Sequence, residues 1–333
     1  MVATPPPRRS LFKREGTFDA RVTDGIFYWS TLAFAALILV LVAWLGVQLY
    51  AASRPSIERF GFGFLTSSYW NSEDAPIKPD TYGAWPYIYG TLMSSFLALL
   101  LAVPVGLGTA IFLAELAPRW IRTPLGFLVD LLAAVPSVVY GLWGILVLLP
   151  ALTTAQEWMS VHLSPLPIVG RLFAGTTQGG HSMMAGGLIL AIMVLPFISA
   201  VSREVIKAVP ATQREAAFGL GSTHWEAIRG PILRTARSGI IGAIILGLAR
   251  ALGETMAITM VIGNSTTAKL SLLEPGATLS SKIANSFSEA SGDQLSALMY
   301  LALVLFVLTI VVNAFARLLI WNASRQVGGT TRA

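Results

Sequence analysis

The chain has 333 residues, 54% of them hydrophobic and only 12% charged, with a net charge of +6. Soluble domains carry about 25% charged residues, so a water-soluble globule of this composition could not solvate its own surface. The same composition excludes collagen-like and disordered chains, and the absence of cysteine excludes disulfide frameworks, thiolate metal sites, Fe–S clusters and cysteine nucleophiles. His162, His181 and His224 are scattered and cannot build a His-rich metal cage.

Long apolar runs occupy residues 26–50, 87–113, 125–150, 183–201, 240–262 and 298–320. Each is long enough for a transmembrane helix, which needs roughly 17–25 residues. Hydrocarbon offers the backbone no hydrogen-bond partners, so these runs are helices rather than strands. The predicted fold class is an all-α integral membrane protein with six transmembrane helices. The first run ends at Ala51-Ala52-Ser53, a passable signal cleavage site. It is far longer than a signal core of about 7–15 residues, however, and reads as a retained helix.

Lys and Arg set the orientation. Arg8, Arg9, Lys13, Arg14 and Arg21 precede the first run, and Arg119 and Arg122 separate the second from the third. Arg203, Lys207, Arg214, Arg229, Arg234 and Arg237 separate the fourth from the fifth, and Arg317, Arg325 and Arg332 follow at the end. The opposite side holds only Arg54, Arg59, Lys78, Arg171, Lys269 and Lys282. Both termini are therefore expected in the cytoplasm, and the basic balance reflects topology, not nucleic-acid binding. The expected division is a cytoplasmic segment 1–25, a first helix 26–50, an external loop 51–84, a five-helix core 85–321 and a cytoplasmic tail 322–333. Trp29, Trp85, Trp120 and Trp321 fall near span ends, as interfacial anchors do. Pro5-Pro6-Pro7 and Gly328-Gly329-Thr330-Thr331 predict disordered chain ends.

The loop 202–237 is too long and too patterned for a connector. Thr212 with Glu215 has capping-box spacing and predicts a helix start, after Pro210 has stopped the preceding helix. Gly219 and Gly221 end the short helix, and Thr223 with Glu226 repeats the capping-box spacing. The pattern predicts a helix–turn–helix hairpin with Ala216, Ala217, Phe218, Trp225 and Ile228 available for packing. On pattern alone it reads as an amphipathic hairpin resting on lipid headgroups.

In the fifth run Gly239, Ala243, Gly247, Ala251 and Thr255 recur every four residues, a small-residue stripe that lets another helix approach closely. That helix could belong to a partner or to the same chain. Arg250 and Glu254 stand at i and i+4 beside the stripe. Counting from Ser238 places Arg250 about 18 Å deep in a hydrocarbon core about 30 Å thick. An arginine there costs at least about 2.5–3.5 kcal/mol. Two readings stand: a self-neutralising pair that holds helices together, or a pathway arginine for an anion with Glu254 as its holder. Asp130 lies shortly after the helix-start signal Thr123-Pro124 and is expected near the cytoplasmic interface. Pro104, Pro136 and Pro196 interrupt three spans and are expected as kinks.

The stretch REAAFGLGSTHWEAIRGPIL resembles the cytoplasmic EAA loop of ABC importer permeases. Glu215, Ala216, Ala217 and Gly221 match its spacing; Arg234 stands where the family usually has proline, and Pro231 comes three residues early. ARALGETMAITMVIGN, TYGAWPYIYGTLMSSFLALLLAVPVGLGTAIFLAELAP and LAAVPSVVYGLWG resemble the phosphate-specific permeases of that family, in the form of the PstC-type subunit. The likeness runs from residue 81 to 320.

This resemblance implies a MetI-like permease architecture in which the loop 202–237 is a coupling hairpin, with Glu215, Ala216, Ala217 and Gly221 at its contact with an ATPase. It implies a substrate pathway containing Arg250 and Glu254. The implied partners are a homologous PstA-type permease, two copies of a PstB-type ATPase and an external phosphate-binding protein, with inorganic phosphate as cargo. The sequence has no G-x-x-x-x-G-K-[ST] phosphate loop, so ATP and Mg belong to the partner, and the chain itself is read as a transport subunit without cofactor or metal. The outer loops 51–85 and 156–180 are expected to face the binding protein. Alternatives are a permease for molybdate or sulfate, or an ion-coupled secondary carrier, which would leave the EAA loop without a role.

Overall fold

The computed structural model describes residues 20–71, 81–167, 169–175 and 179–328, with side chains described only between 24 and 318. Arg8, Arg9, Lys13, Arg14, Lys78, Arg332 and both low-complexity ends lie wholly or largely outside these residues, as do the side chains of Arg21, Trp321 and Arg325.

In chain order the helices are α1 (Ala20–Phe60), α2 (Gly63–Thr66), α3 (Trp85–Ile111), α4 (Arg119–Ala134), α5 (Ser137–Trp143), α6 (Leu149–Leu163) and α7 (Gly170–Phe173). They continue as α8 (Met183–Lys207), α9 (Ala211–Gly219), α10 (His224–Ala227), α11 (Leu233–Gly253), α12 (Met256–Val261), α13 (Leu279–Ser286) and α14 (Gly292–Gly328). Three π-helical turns are built in: Phe112–Leu116 extends α3, Gly144–Leu148 joins α5 to α6, and Ile228–Ile232 joins α10 to α11. Among the described residues, extended pairing is confined to the isolated bridges Trp70–Tyr82 and Gly263–Gly276. Among the described residues, six helices are long and apolar enough to cross a membrane.

The chain forms two compact units, Met1–Leu49 and Tyr50–Ala333. The described part of the first is the front of α1. Phe34, Ile38 and Leu39 are more than 60% exposed there, on a helix apolar all round, which only hydrocarbon can solvate.

In the second unit α3 lies along α8, and α8 also packs on α11 and α4. Close approach is possible because small residues stand at the crossings. A Cβ on Gly90 would lie 2.0 Å from the Ala277 carbonyl oxygen, and one on Gly187 would lie 2.7 Å from Leu97 Cβ. The central core joins Ala98, Ile189, Met193, Ile198, Ile258 and Val261. A second core gathers Phe64, Trp70, Tyr82, Tyr87, Leu279 and Tyr300, with the Phe64 and Tyr300 rings stacked at 4.3 Å. A third joins Ala110, Ala114, Ile206, Val209, Ile228, Ile232, Ala236 and Ile240 beneath the α9–α10 hairpin.

Two expected spans are broken. The run 125–150 is not one helix: Val135 is extended (ψ 132°) and Pro136 starts a new element, because the residue before proline is pushed out of the helical region. The third crossing is Ser137–Leu163, and residues 125–134 belong to α4 before it. The run 240–262 breaks at Glu254 (ψ 131°), and its helix begins much earlier, giving a crossing over His224–Gly253. Pro104 and Pro196, by contrast, sit inside α3 and α8 without ending them. The first crossing also continues past residue 50 to Phe60, so Arg54 and Arg59 are helical.

Candidate functional site

The small-residue stripe faces α8 of the same chain. A Cβ on Gly247 would lie 2.8 Å from Ile198 Cγ1 and 2.9 Å from Val194 Cγ1, and one on Gly239 would lie 2.5 Å from Val205 Cγ1. Ala243 and Ala251 are buried on the same face. Thr255 does not continue the stripe, because α11 ends at Gly253 and Thr255 precedes α12.

That ending also corrects the expected helical pairing of Arg250 with Glu254. With Glu254 extended, its Oε1 accepts from the Ala257 amide at 3.1 Å, and its backbone carbonyl accepts from Ser280 Oγ at 2.7 Å. The carboxylate thus caps α12, while Ser280 ties the break to α13. Arg250 stays in the last turn of α11, where the negative end of the helix dipole favours a cation. No ion pair joins the two residues. Arg250 Nε is buried without a hydrogen bond, and the guanidinium lies 5.9 Å from the Phe197 ring centroid. The result is a discontinuous membrane helix with an unneutralised cation beside its break. Breaks of this kind occur where backbone lines a cavity or a substrate site.

At the other end of α11 the hairpin has its own logic. α9 starts at Ala211 directly after Pro210, so Thr212 is already inside the helix and makes no cap with Glu215; this corrects the first expected capping box. Gly221 takes φ +85°, a left-handed conformation costly for other residues. Its amide donates to the Phe218 carbonyl at 3.0 Å, and the Ser222 amide donates to that of Ala217 at 3.1 Å. The second capping box forms, with Thr223 N donating to Glu226 Oε2 at 2.8 Å and Glu226 N donating to Thr223 Oγ1 at 3.3 Å. α10 then runs through the turn holding Pro231 into α11 without interruption.

Glu215 and Ala216 are exposed on α9, whereas Ala217 turns inward with Ala227 and Ile228. Phe218, Leu220 and Trp225 stand 43%, 89% and 61% exposed around the turn. Three large apolar side chains on a short polar hairpin are suited to a partner's groove.

Several ion pairs among the described residues escaped sequence reasoning, two of them near the end of α8. Asp130 is held by Arg203, whose Nη2 lies 3.1 and 3.0 Å from the two carboxylate oxygens. Arg203 is 8% exposed, and Gly126 makes room for it, since a Cβ there would lie 2.7 Å from Arg203 Nη1. Glu115 is held by Arg214, with Nη2 2.7 Å from Oε1. These partners are separated by 73 and 99 positions, and no local pattern in a single sequence announces them.

His162 Nδ1 lies 2.9 Å from the Trp158 carbonyl and His181 Nδ1 lies 3.2 Å from that of Val261. His224 packs its ring against Phe218.

Residues 102–320 match the model of the binding-protein-dependent transport system inner membrane component family. The chain is 44% identical, over 92% of its length and 93% of the relative's, to the phosphate transport system permease protein PstC of Mesorhizobium japonicum. It is 43% identical to the protein of the same name from Pasteurella multocida, over 96% of this chain and 99% of that one. The fold is similar to a crystal structure of a bacterial ABC transporter involved in the import of the acidic polysaccharide alginate. That match has a TM-score of 0.55 at 17% identity and covers 91% of this chain and 99% of the other. A helix-built, multi-pass membrane protein with this match over most of its length belongs to the family of binding-protein-dependent transport system inner membrane components.

Proposed function

We propose that the chain is the membrane-spanning permease subunit of an ATP-driven importer of inorganic phosphate, forming half of the translocation pathway. The observation that carries this reading is Arg250, an intramembrane cation without a carboxylate partner, in a chain whose relatives at 44% and 43% identity are named phosphate transport system permease proteins. A half-buried guanidinium without a counter-ion, its Nε shielded from water, favours an oxyanion and presents a planar fork of donors to it. Glu254, committed to the α12 cap, fixes the break beside Arg250 and does not compete with the anion for it.

In this reading both termini and the α9–α10 hairpin are cytoplasmic. The hairpin docks on an ATPase through Glu215, Ala216 and the exposed Phe218, Leu220 and Trp225, with Gly221 setting the turn. One chain supplies one coupling hairpin, so a homologous PstA-type permease supplies the second, each meeting one of two PstB-type ATPase subunits. An external phosphate-binding protein delivers cargo to the opposite face. ATP binding drives the hairpin and opens the pathway outward, phosphate meets Arg250, and hydrolysis resets the machine.

The test is uptake of labelled phosphate at micromolar concentration in cells with and without this chain, with excess sulfate and molybdate as competitors. Uptake that needs the chain and the ATPase, and ignores the competitors, supports the proposal. Uptake suppressed by sulfate or molybdate moves the substrate to another oxyanion. Uptake independent of any ATPase makes the chain a secondary carrier.

A further inference from the structure

Two adjacent residues of α9 reach three membrane-crossing helices. Arg214 Nη2 lies 2.7 Å from Glu115 Oε1 in the π-turn that ends the α3 crossing, and Arg214 Nε lies 3.2 and 3.3 Å from the two Glu115 oxygens. The same guanidinium donates through Nη2 to the Ile206 carbonyl at 2.8 Å, in the last turn of α8, and through Nη1 to that of Val209, just past its end. Beside it, Gln213 Oε1 accepts from Thr235 Oγ1 of α11 at 2.8 Å. A planar fork is the side chain that can hold a carboxylate and two carbonyls in one fixed arrangement. Arg214 and Glu115 are 22% and 14% exposed, so salt screens the pair weakly.

We propose that Arg214 is a positioning residue for transport, and that the Arg214–Glu115 pair is the link delivering displacement of α9 to α3. This rests on the reading that α9 meets an ATPase. The Gln213–Thr235 hydrogen bond and the packing of α9 on α10 and on the π-turn 228–232 hold α9 in place without the pair. What the pair adds is a charged connection to a different crossing, made at a π-turn. Such turns carry an extra residue within a helix and recur at functional sites. Without the link, α9 still moves with α11, and α3 follows only through the apolar contacts of Ala110 and Ala114.

The test uses the complete transporter in proteoliposomes, with external binding protein and inorganic phosphate, and reads phosphate imported per ATP hydrolysed, normalised to assembled complex. Glu115→Gln keeps the size and hydrogen-bonding capacity of the side chain, and Arg214→Lys keeps the charge without the fork. Both variants are expected to assemble and hydrolyse ATP near the wild-type rate, with the transport ratio about 5-fold or more lower, the range of a typical coupling energy. Arg214→Ala is expected to lower it further. An unchanged ratio in assembled complexes overturns the proposal. So does failure of both conservative variants to assemble, because the pair then serves only the fold. Failure of the underlying reading shows separately, as wild-type uptake that does not require ATP.

Discussion

Arg250 and Glu254 stand four positions apart and do not pair: the helix stops at Gly253, Glu254 caps α12, and Arg250 Nε is left buried without a hydrogen bond. The Glu254 side chain therefore serves as a helix cap rather than a counter-ion. Glu254→Gln, which can still accept from the Ala257 amide, is expected to cost no more than about 1 kcal/mol of stability and to retain uptake within a few-fold. Exchanging the two residues is expected to abolish uptake, because neutrality is not what the site supplies. Uptake of labelled phosphate at matched membrane levels checks both.

The stripe on α11 holds that helix against α8 within one chain. Gly247→Val would drive methyl groups into Ile198 and Val194, which already lie within 3 Å of a bare Cβ position. The expected result is a loss of about 1–3 kcal/mol from overpacking, seen as a lower melting temperature of the isolated chain in detergent. Unchanged stability with lost association to a second permease would place the stripe at a subunit interface instead.

Arg203 and Asp130 fasten α4 to α8. Asp130→Asn leaves a guanidinium that is 8% exposed with only Glu204 to neutralise it. It is expected to cost about 1.5–3 kcal/mol. Phosphate uptake per folded molecule should not change, since the pair bonds to neither Arg250 nor Glu254. Thermal unfolding and uptake normalised to folded protein separate the two effects.

The amount of this arrangement legible in the sequence differs by feature. Six crossings follow from hydropathy, and the Thr223–Glu226 cap follows from spacing, because both signals are local. The break at Val135 was signalled by Pro136, but the apolar run on both sides masked it. Glu254 gave no such warning: it reads as one more helical position until Ser280 and the Ala257 amide compete for its groups. Thr212 lost its capping role because Pro210 pre-set the backbone one residue sooner. Glu115–Arg214 and Asp130–Arg203 exist only once α3 and α4 are folded against the end of α8.

Lys282 supplies a pH dependence. It lies on α13, outside the crossing helices, with its ammonium 4.8 Å from the Trp70 ring centroid, and burial lowers its pKa from the ordinary 10.5. The unfolded chain then holds the proton more tightly, so stability rises with pH between the depressed value and 10.5, while below that window the burial penalty is fully present. Wild type is expected to gain stability relative to Lys282→Met as the pH is raised from about 8 toward about 10. Parallel melting curves at the two pH values would show that Lys282 is not desolvated in the folded chain.

The most direct measurement is labelled phosphate uptake by Arg250→Gln, with membrane insertion and complex assembly quantified in the same cells. Uptake reduced about 100-fold or more, with assembly intact, is expected for an arginine that meets the anion in the pathway, since removing one charged contact to a reacting or translocating anion costs about 3 kcal/mol. Near-normal uptake, or a loss that tracks a loss of assembly, would contradict it and return Arg250 to a purely structural role.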